Sequence, residues 1–387
     1  MNIPRRSWIL AAPATISLCA LALSGCASTS ASGSGGDSAA GTGSSGVSAA
    51  KATSADDLGG MDALVKAAKA EGQLNVITLP RDWANYGMLM DNFTKKYGIK
   101  ITDANPDGSS ADEITAIKTL KSQATAPDTV DVGQAFALSG TSEGLFAPYK
   151  VATWNDIPDS LKDANGNWVN DYGGYVSIGC DTAKVSNCPT TLADLDKPEY
   201  KNKVALNGDP TKANAAFNAV WASALAKGGS FDNIQPGIDF FGKLKKDGIY
   251  VPVQATAATI QSGETPIVLD WDYLNAAKAE KVSTFKTVVP SDGKLPGYYA
   301  QAISVYAPHP AAARLWQEYL FSVEGQNGFL QGFARPAAMA AMEKAGTIDK
   351  EAAAKLPPVS GDPVFPTQDQ VTKAKATLTQ NWSAAVS

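Results

Sequence analysis

Between residues 58 and 132 the hydrophobic positions switch repeatedly between a helical and an extended period. Leu58, Met61, Leu64, Val65 and Ala68 share one helical face behind Ser54-Ala-Asp-Asp57, which has the form of a capping box, and the run stops at Gly72. A strand follows over 74–79. Tyr86, Leu89, Met90, Phe93 and Tyr97 repeat at helical spacing before Gly98, and residues 99–102 read as a second strand. Ser110-Ala-Asp-Glu113 caps a helix carrying Ile114, Ile117 and Leu120, and Val130-Asp131-Val132 is a third short strand. This alternation predicts an α/β fold on open, mostly parallel sheets flanked by helices, with binding loops at the strand C-termini.

A second series of the same kind begins near Val176, with strands over 204–206, 250–253, 267–269 and 287–289. Its clearest helices carry Phe217, Val220, Trp221 and Leu225 before Gly228-Gly229, and Ile234, Ile238, Phe241 and Leu244 before Gly248. After an extended stretch over 298–306 the pattern turns mostly helical, through Leu315, Trp316, Tyr319 and Leu320 to the end.

At the other end, Arg5 and Arg6 precede an apolar run over 8–23 that leads into Leu23-Ser24-Gly25-Cys26, the form of a signal peptide over 1–25. The run is shorter than the roughly 20 apolar residues of a stable membrane span. Small residues before a cysteine resemble the bacterial lipobox, which implies that Cys26 receives lipid and anchors the chain on the extracytoplasmic face of the membrane. Arg5-Arg6-Ser7-Trp8-Ile9 also has the look of a twin-arginine signal, so either export route fits. Residues 26–54 are almost wholly Ser, Gly, Ala and Thr with Val47 as the single large aliphatic, and predict a flexible tether.

Composition narrows the rest. Of four cysteines, Cys19 lies in the signal peptide and Cys26 at the anchor, which leaves Cys180 and Cys188 to form one bridge in an oxidising compartment. One histidine and so few thiols argue against zinc. A net charge of −5 without a basic cluster argues against nucleic acid as a partner. The length from residue 54 onward exceeds one compact core and favours two lobes.

Several segments resemble the solute-binding proteins of ABC importers that include iron(III), polyamine, thiamine and phosphonate binders. They are Ala70-Glu-Gly-Gln-Leu-Asn-Val76, Glu143-Gly-Leu-Phe-Ala-Pro-Tyr149, Thr191-Leu-Ala-Asp-Leu195, Asp209-Pro-Thr211, Ser262-Gly-Glu264 and Ala307-Pro-His-Pro-Ala-Ala312, leading to Phe321-Ser-Val-Glu-Gly-Gln326. The resemblance implies a type II clamshell: lobe 1 over 55–175 and 303–387, lobe 2 over 176–302, and crossovers near 174–181 and 298–306. It further implies a monomer without cofactor that hands a small solute to an ABC permease and its ATPase subunits, and no enzymatic activity.

The candidate ligand residues lie after strands. Arg81-Asp82-Trp83-Ala84-Asn85-Tyr86 resembles the loop in which polyamine binders place a Trp and a Tyr, so Asp82, Trp83 and Tyr86 are expected in the cleft, although Tyr86 fits the helix core equally well. In Asp270-Trp271-Asp272-Tyr273, two carboxylates flank an indole, which suits an organic cation, although Asp270 or Asp272 fits a helix cap as well. Tyr299 and Gln301 in Tyr298-Tyr-Ala-Gln301 resemble the aromatic and acid of polyamine binders, with Gln301 in the acid's place. Asp131 and Gln134 follow the third strand, and Asp131 fits a turn role too.

Four rival readings remain. Iron(III) finds the adjacent tyrosines Tyr298 and Tyr299, but in the wrong segment, and His309 between two prolines reads as a helix start. A phosphonate or phosphorylated solute finds a helix start after Asp209-Pro210-Thr211, with Arg81 to assist. An exported hydrolase lacks a Gly-x-Ser-x-Gly motif and a placed base, and an adhesive surface protein needs no clamshell.

Overall fold

The computed structural model describes residues 47–359 and 364–387. The expected signal peptide, Cys26 and most of the expected tether lie outside these residues. Among the described residues no helix is long and apolar enough to cross a membrane.

The ordered chain begins earlier than its composition suggests. Residues 49–51 form a single 3-10 turn, with Ala49 and Ala52 fully buried. The carbonyls of Ala50 and Ala52 accept from the guanidinium of buried Arg314, at 3.2 and 2.9 Å. Residues 49–53 are therefore part of the fold and not of the tether expected to run to residue 54. Thr53 donates to Asp57 through both its backbone N–H and its hydroxyl.

The first half follows the expected rhythm: α1 (Met61–Glu71), β1 (Gln73–Ile77), α2 (Tyr86–Tyr97), β2 (Lys100–Ala104), α3 (Ser110–Leu120), β3 (Thr129–Gly133), α4 (Gln134–Ser142) and β4 (Phe146–Ala147). Gly72 and Gly98 end α1 and α2 in left-handed conformations, as C-caps require. α3 starts one residue ahead of its expected cap, since Ser109 and Asp112 form the capping box. That frees Glu113 to turn inward, where it is buried.

β5 (Val169–Asp181) is the long strand that joins the halves. The second half contains β6 (Val204–Leu206), α5 (Asn214–Ala226), α6 (Gln235–Lys246), α7 (Ala257–Ser262), β7 (Ile267–Trp271), α8 (Asp272–Lys281) and β8 (Phe285–Val288), and β9 (Pro296–Ser304) returns to the first. The expected strand over 250–253 is reduced to a single bridge between Val204 and Tyr250, and Pro252 has no N–H to continue it. Cys180 and Cys188 are disulfide-bonded and close the turn that ends β5.

Parallel pairing occurs at β1–β2 and β6–β7, as the alternation predicts. The joining strands pair antiparallel with their neighbours: β9 with β3, β4 and the first stretch of β5, and the second stretch of β5 with β7 and β8. A strand that crosses between halves and returns must meet its neighbours head to tail. Gly174 stands where β5 passes the second half: a Cβ there would lie 2.1 Å from Oδ1 of Asp272.

The remaining elements are α9 (Pro310–Leu320), α10 (Val323–Gln331), β10 (Arg335–Pro336), α11 (Met339–Ala345), α12 (Lys350–Ala353) and α13 (Gln368–Ala385). Trp316 and Tyr319 of α9 pack on Phe93 of α2 and fill the first core. α13 does not join them as the division at 303–387 expects. It lies on α6 and α5, with Trp382 against Phe241 and Tyr250, and its other side touches α4. Nζ of Lys375 reaches the carbonyls of Pro210 and Thr211 and sits over the rings of Phe136 and Phe217.

Candidate functional site

A cleft of about 250 Å³ lies between the two halves. One wall is the loop after β1 together with the start of α3 and the end of β3, including Asp82, Trp83, Ser109, Glu113 and Asp131. The other is built from Asn207, the start of α5, Gln254, Thr256, Asp270, Lys278 and Lys281, with Tyr299 from β9 at the seam. The walls meet where Asn214 packs on Gly133. A Cβ at Gly133 would lie 2.1 Å from Cγ of Asn214, so only glycine permits this approach.

The loop after β1 is held in a costly shape. Ala84 and Asn85 both have positive φ, at 45° and 68°, a region that costs a non-glycine residue about 1 kcal/mol or more. Asn85 donates to the carbonyl of Gly328 at 2.9 Å, which anchors the loop to α10. The result fixes Trp83, whose Nε1 donates to the hydroxyl of Tyr172 at 2.7 Å. Its ring meets Tyr299 and Tyr273 edge-on, at 5.6 and 6.3 Å.

At the floor lies an acidic network. Tyr86 is fully buried, and its hydroxyl contacts Oδ2 of Asp131 at 2.9 Å and Oδ2 of Asp171 at 3.1 Å while accepting from Nε2 of Gln301 at 2.8 Å. The Tyr172 hydroxyl donates to Oδ2 of Asp131 at 2.8 Å, and Oε2 of Glu113 accepts the Asp131 backbone N–H at 2.9 Å. Oδ1 of Asp131 is buried without a hydrogen-bond partner among the described residues. No basic side chain there is ion-paired with Glu113, Asp131 or Asp171. Burial pushes Asp131 up to about 7 and raises Glu113 and Asp171 well above the usual carboxyl range, with the neighbouring charge of Asp131 adding to both.

Of the residues expected in the cleft, Asp82, Trp83, Asp131, Asp270 and Tyr299 line it. Asp82 pairs with Lys281 across the cleft at 2.8 Å. Asp270 is already met by Lys278 at 2.5 Å and by Asn207, so its charge is offset inside the wall. The remaining expectations need correction. Tyr86 and Gln301 lie behind the floor in hydrogen bonds to the chain itself. Trp271 and Tyr273 are fully buried, Trp271 against Gly297. Asp272 heads α8, accepts the backbone N–H of Tyr175 and of Tyr273, and is ion-paired with Arg335. It is a structural anchor between α8 and β10, and the sequence offers no local signal for its partner.

The residues that sequence reasoning passed over are Glu113, Asp171 and Tyr172. Glu113 looked like a cap residue. Asp171 was findable, as a lone acid within the apolar stretch that leads into the first crossover. His309 caps α9 and bonds Asp128 through its backbone N–H and its ring, as a helix-start role requires. Tyr298 and Tyr299 face opposite sides of β9, Tyr298 onto Phe365 and Tyr299 into the cleft, so they do not form a shared pair of oxygen ligands.

A model of the bacterial extracellular solute-binding proteins matches residues 126–358. Among solved structures, the chain resembles the periplasmic binding protein AfuA from Actinobacillus pleuropneumoniae with fructose-6-phosphate bound: 16% identity, 81% of this chain and 98% of that one, TM-score 0.65. It also resembles a putative spermidine/putrescine ABC transporter protein from Listeria monocytogenes: 15% identity, 81% and 99% coverage, TM-score 0.62. A third likeness is to iron-bound HitA from Pseudomonas aeruginosa: 17% identity, 79% and 97% coverage, TM-score 0.58. At these identities the likeness is one of fold, the two-lobe type II clamshell.

Proposed function

Because the chain belongs to the family of bacterial extracellular solute-binding proteins, we propose that it captures an organic cation in the interlobe cleft and presents it to an ABC permease. The observation that carries the cation is Asp131, a buried carboxyl at the cleft floor with one oxygen unsatisfied and no cation beside it among the described residues. An ammonium donating to that oxygen forms a charge-assisted hydrogen bond in a dry site. Trp83 and Tyr299 line the same space and add about 0.5–2 kcal/mol where a ring face meets the cation.

In this reading β5 and β9 are the hinge strands, and closure brings Gly133 against Asn214 and Asp82 against Lys281. Lobe 1 comprises residues up to about 175 together with 303–358, and lobe 2 comprises 176–302 with α13 docked on it. The solute shifts the population toward the closed form to the extent that it binds that form more tightly, and no bond is made or broken. Lipidated Cys26 and the residues after it tether a monomer to the outer face of the membrane.

One observation favours a second solute class. The first turns of α3 and α5, at Ser109, Ser110, Ala213 and Ala215, also line the cleft, and helix N-termini attract oxyanions.

Thermal unfolding of the chain from residue 45 against putrescine, spermidine, thiamine, iron(III) citrate, a phosphonate and fructose-6-phosphate separates these readings. A cation present at 100 times its dissociation constant is expected to add about 2.7 kcal/mol of stability, and Asp131→Asn is expected to remove that gain. A transition moved solely by anionic solutes or by iron overturns the cation assignment and leaves solute binding intact.

A further inference from the structure

Tyr86 carries one hydroxyl hydrogen, yet its oxygen lies within hydrogen-bonding distance of two carboxyl oxygens, on Asp131 and Asp171, and already accepts from Gln301. The phenol donates to one carboxyl. The other contact is a hydrogen bond only if that second carboxyl carries a hydrogen and donates it to the phenol. The remaining bonds favour Asp171 as the acid. Oδ2 of Asp131 takes the Tyr172 hydroxyl as well, whereas Oδ1 of Asp171 accepts the backbone N–H of Tyr172 at 2.9 Å.

The surroundings point the same way. Glu113, Asp131 and Asp171 are each at least 96% buried. Facing them are Tyr86 from α2, Tyr172 from β5, Tyr299 and Gln301 from β9, and Trp83 from the loop after β1. Asp103 of β2 and Asp112 of α3 add negative charge beside Glu113. Across the cleft stand Tyr273 and Asp270, the latter neutralised by Lys278. Three ionised carboxylates in such a place are costly, and holding protons relieves the cost.

We infer that the cleft exchanges a proton for its solute: a cation seated on Asp131 drives one proton out of the Glu113–Asp131–Asp171 cluster into solvent. This rests on the cation reading above. A carboxyl O–H bond of the cluster breaks, the proton passes to water or buffer, and Asp131 accepts from the ammonium. At Asp131 the charge is conserved, since one ammonium enters as one proton leaves. The raised pKa values of these carboxyls supply the pH window. With Asp131 titrating at about 7, affinity for a cation climbs as pH rises from 5 toward 7 and levels off above it.

Calorimetric titration with putrescine, whose amines stay charged throughout, tests the exchange in two buffers of different ionisation enthalpy. The expected release is about one proton per putrescine at pH 6, with affinity rising up to about tenfold per pH unit, and almost none at pH 8.5. Asp103→Asn removes a negative charge beside Glu113 and lies outside the cleft lining. It is expected to keep binding while shifting the pH at which release stops toward acid, which a merely structural role does not do. Putrescine that binds with the same affinity and no proton release from pH 5 to 8.5 overturns the exchange and leaves the cation reading standing. If no cation binds at any pH, both fall. Carbon-13 titration of the ligand-free chain reads the cluster independently: all three carboxyls ionised at pH 6 overturns the inference whatever the solute.

Discussion

Replacing Arg335 by Met is expected to cost the folded chain about 3–5 kcal/mol, because it strips a fully buried carboxylate of its cation. Asp272 has no exposed side-chain surface, and its two backbone donors do not offset a full charge. Burial already holds its carboxyl above the ordinary value against the pull of Arg335, so without Arg335 the folded-state value rises further above the unfolded one. The folded variant then holds a proton that the unfolded chain has lost, and its stability falls as pH rises. The deficit against the parent should therefore be larger at pH 8 than at pH 5 in urea unfolding. Asp272→Asn combined with Arg335→Met should recover most of it, since removing both members of a buried pair is far less costly than removing one. A midpoint unchanged by Arg335→Met would mean that Asp272 does not depend on the guanidinium.

A chain that starts at Ser54 is expected to be less stable than one that starts at Ser45 by about 2–4 kcal/mol, from two lost hydrogen bonds to a buried charged group with partial recovery by water. Arg314 is 1% exposed and ion-pairs with no acid among the described residues. Its acceptors are the carbonyls of Ala50, Ala52 and Pro310, and its guanidinium lies over the ring of Tyr149. Burial already pulls it down to about 10. Arg314→Leu in both chains completes a double-mutant cycle, and the gap between the two lengths should shrink if the lost carbonyls are the cause. Equal urea midpoints for the two starting points would show that 45–53 contribute nothing to the fold.

The alternation of α2, β2, α3 and β3 was legible because burial there is local: Leu89, Met90 and Phe93 face the core at helical spacing whatever lies opposite. The disulfide was legible from two cysteines left over. What escaped depends on partners far away in the chain. The same acidic loop at 270–272 reads as a cation site until Lys278 and Arg335 are seen to neutralise both carboxylates. Glu113, unremarkable in its own segment, and Asp171, a lone acid in an apolar one, acquire their character from sharing one buried space with Asp131. Residues 47–53 have the composition of a linker, and only Arg314, more than two hundred positions later, gives them a place.

Helix α13 has a mechanical consequence. If the halves turn about β5 and β9, this helix touches both and cannot stay seated on both. Trp382 is wedged between Phe241 and Tyr250, and Lys375 is tied to the carbonyls before α5, so α13 travels with that side. The seam that must slip is the one against α4, where Lys375 lies over Phe136 with no hydrogen bond to hold it there. The molecule thus carries a caliper on its outer surface, and a pair of labels on α4 and α13 would read its jaw angle while leaving the solute chamber untouched.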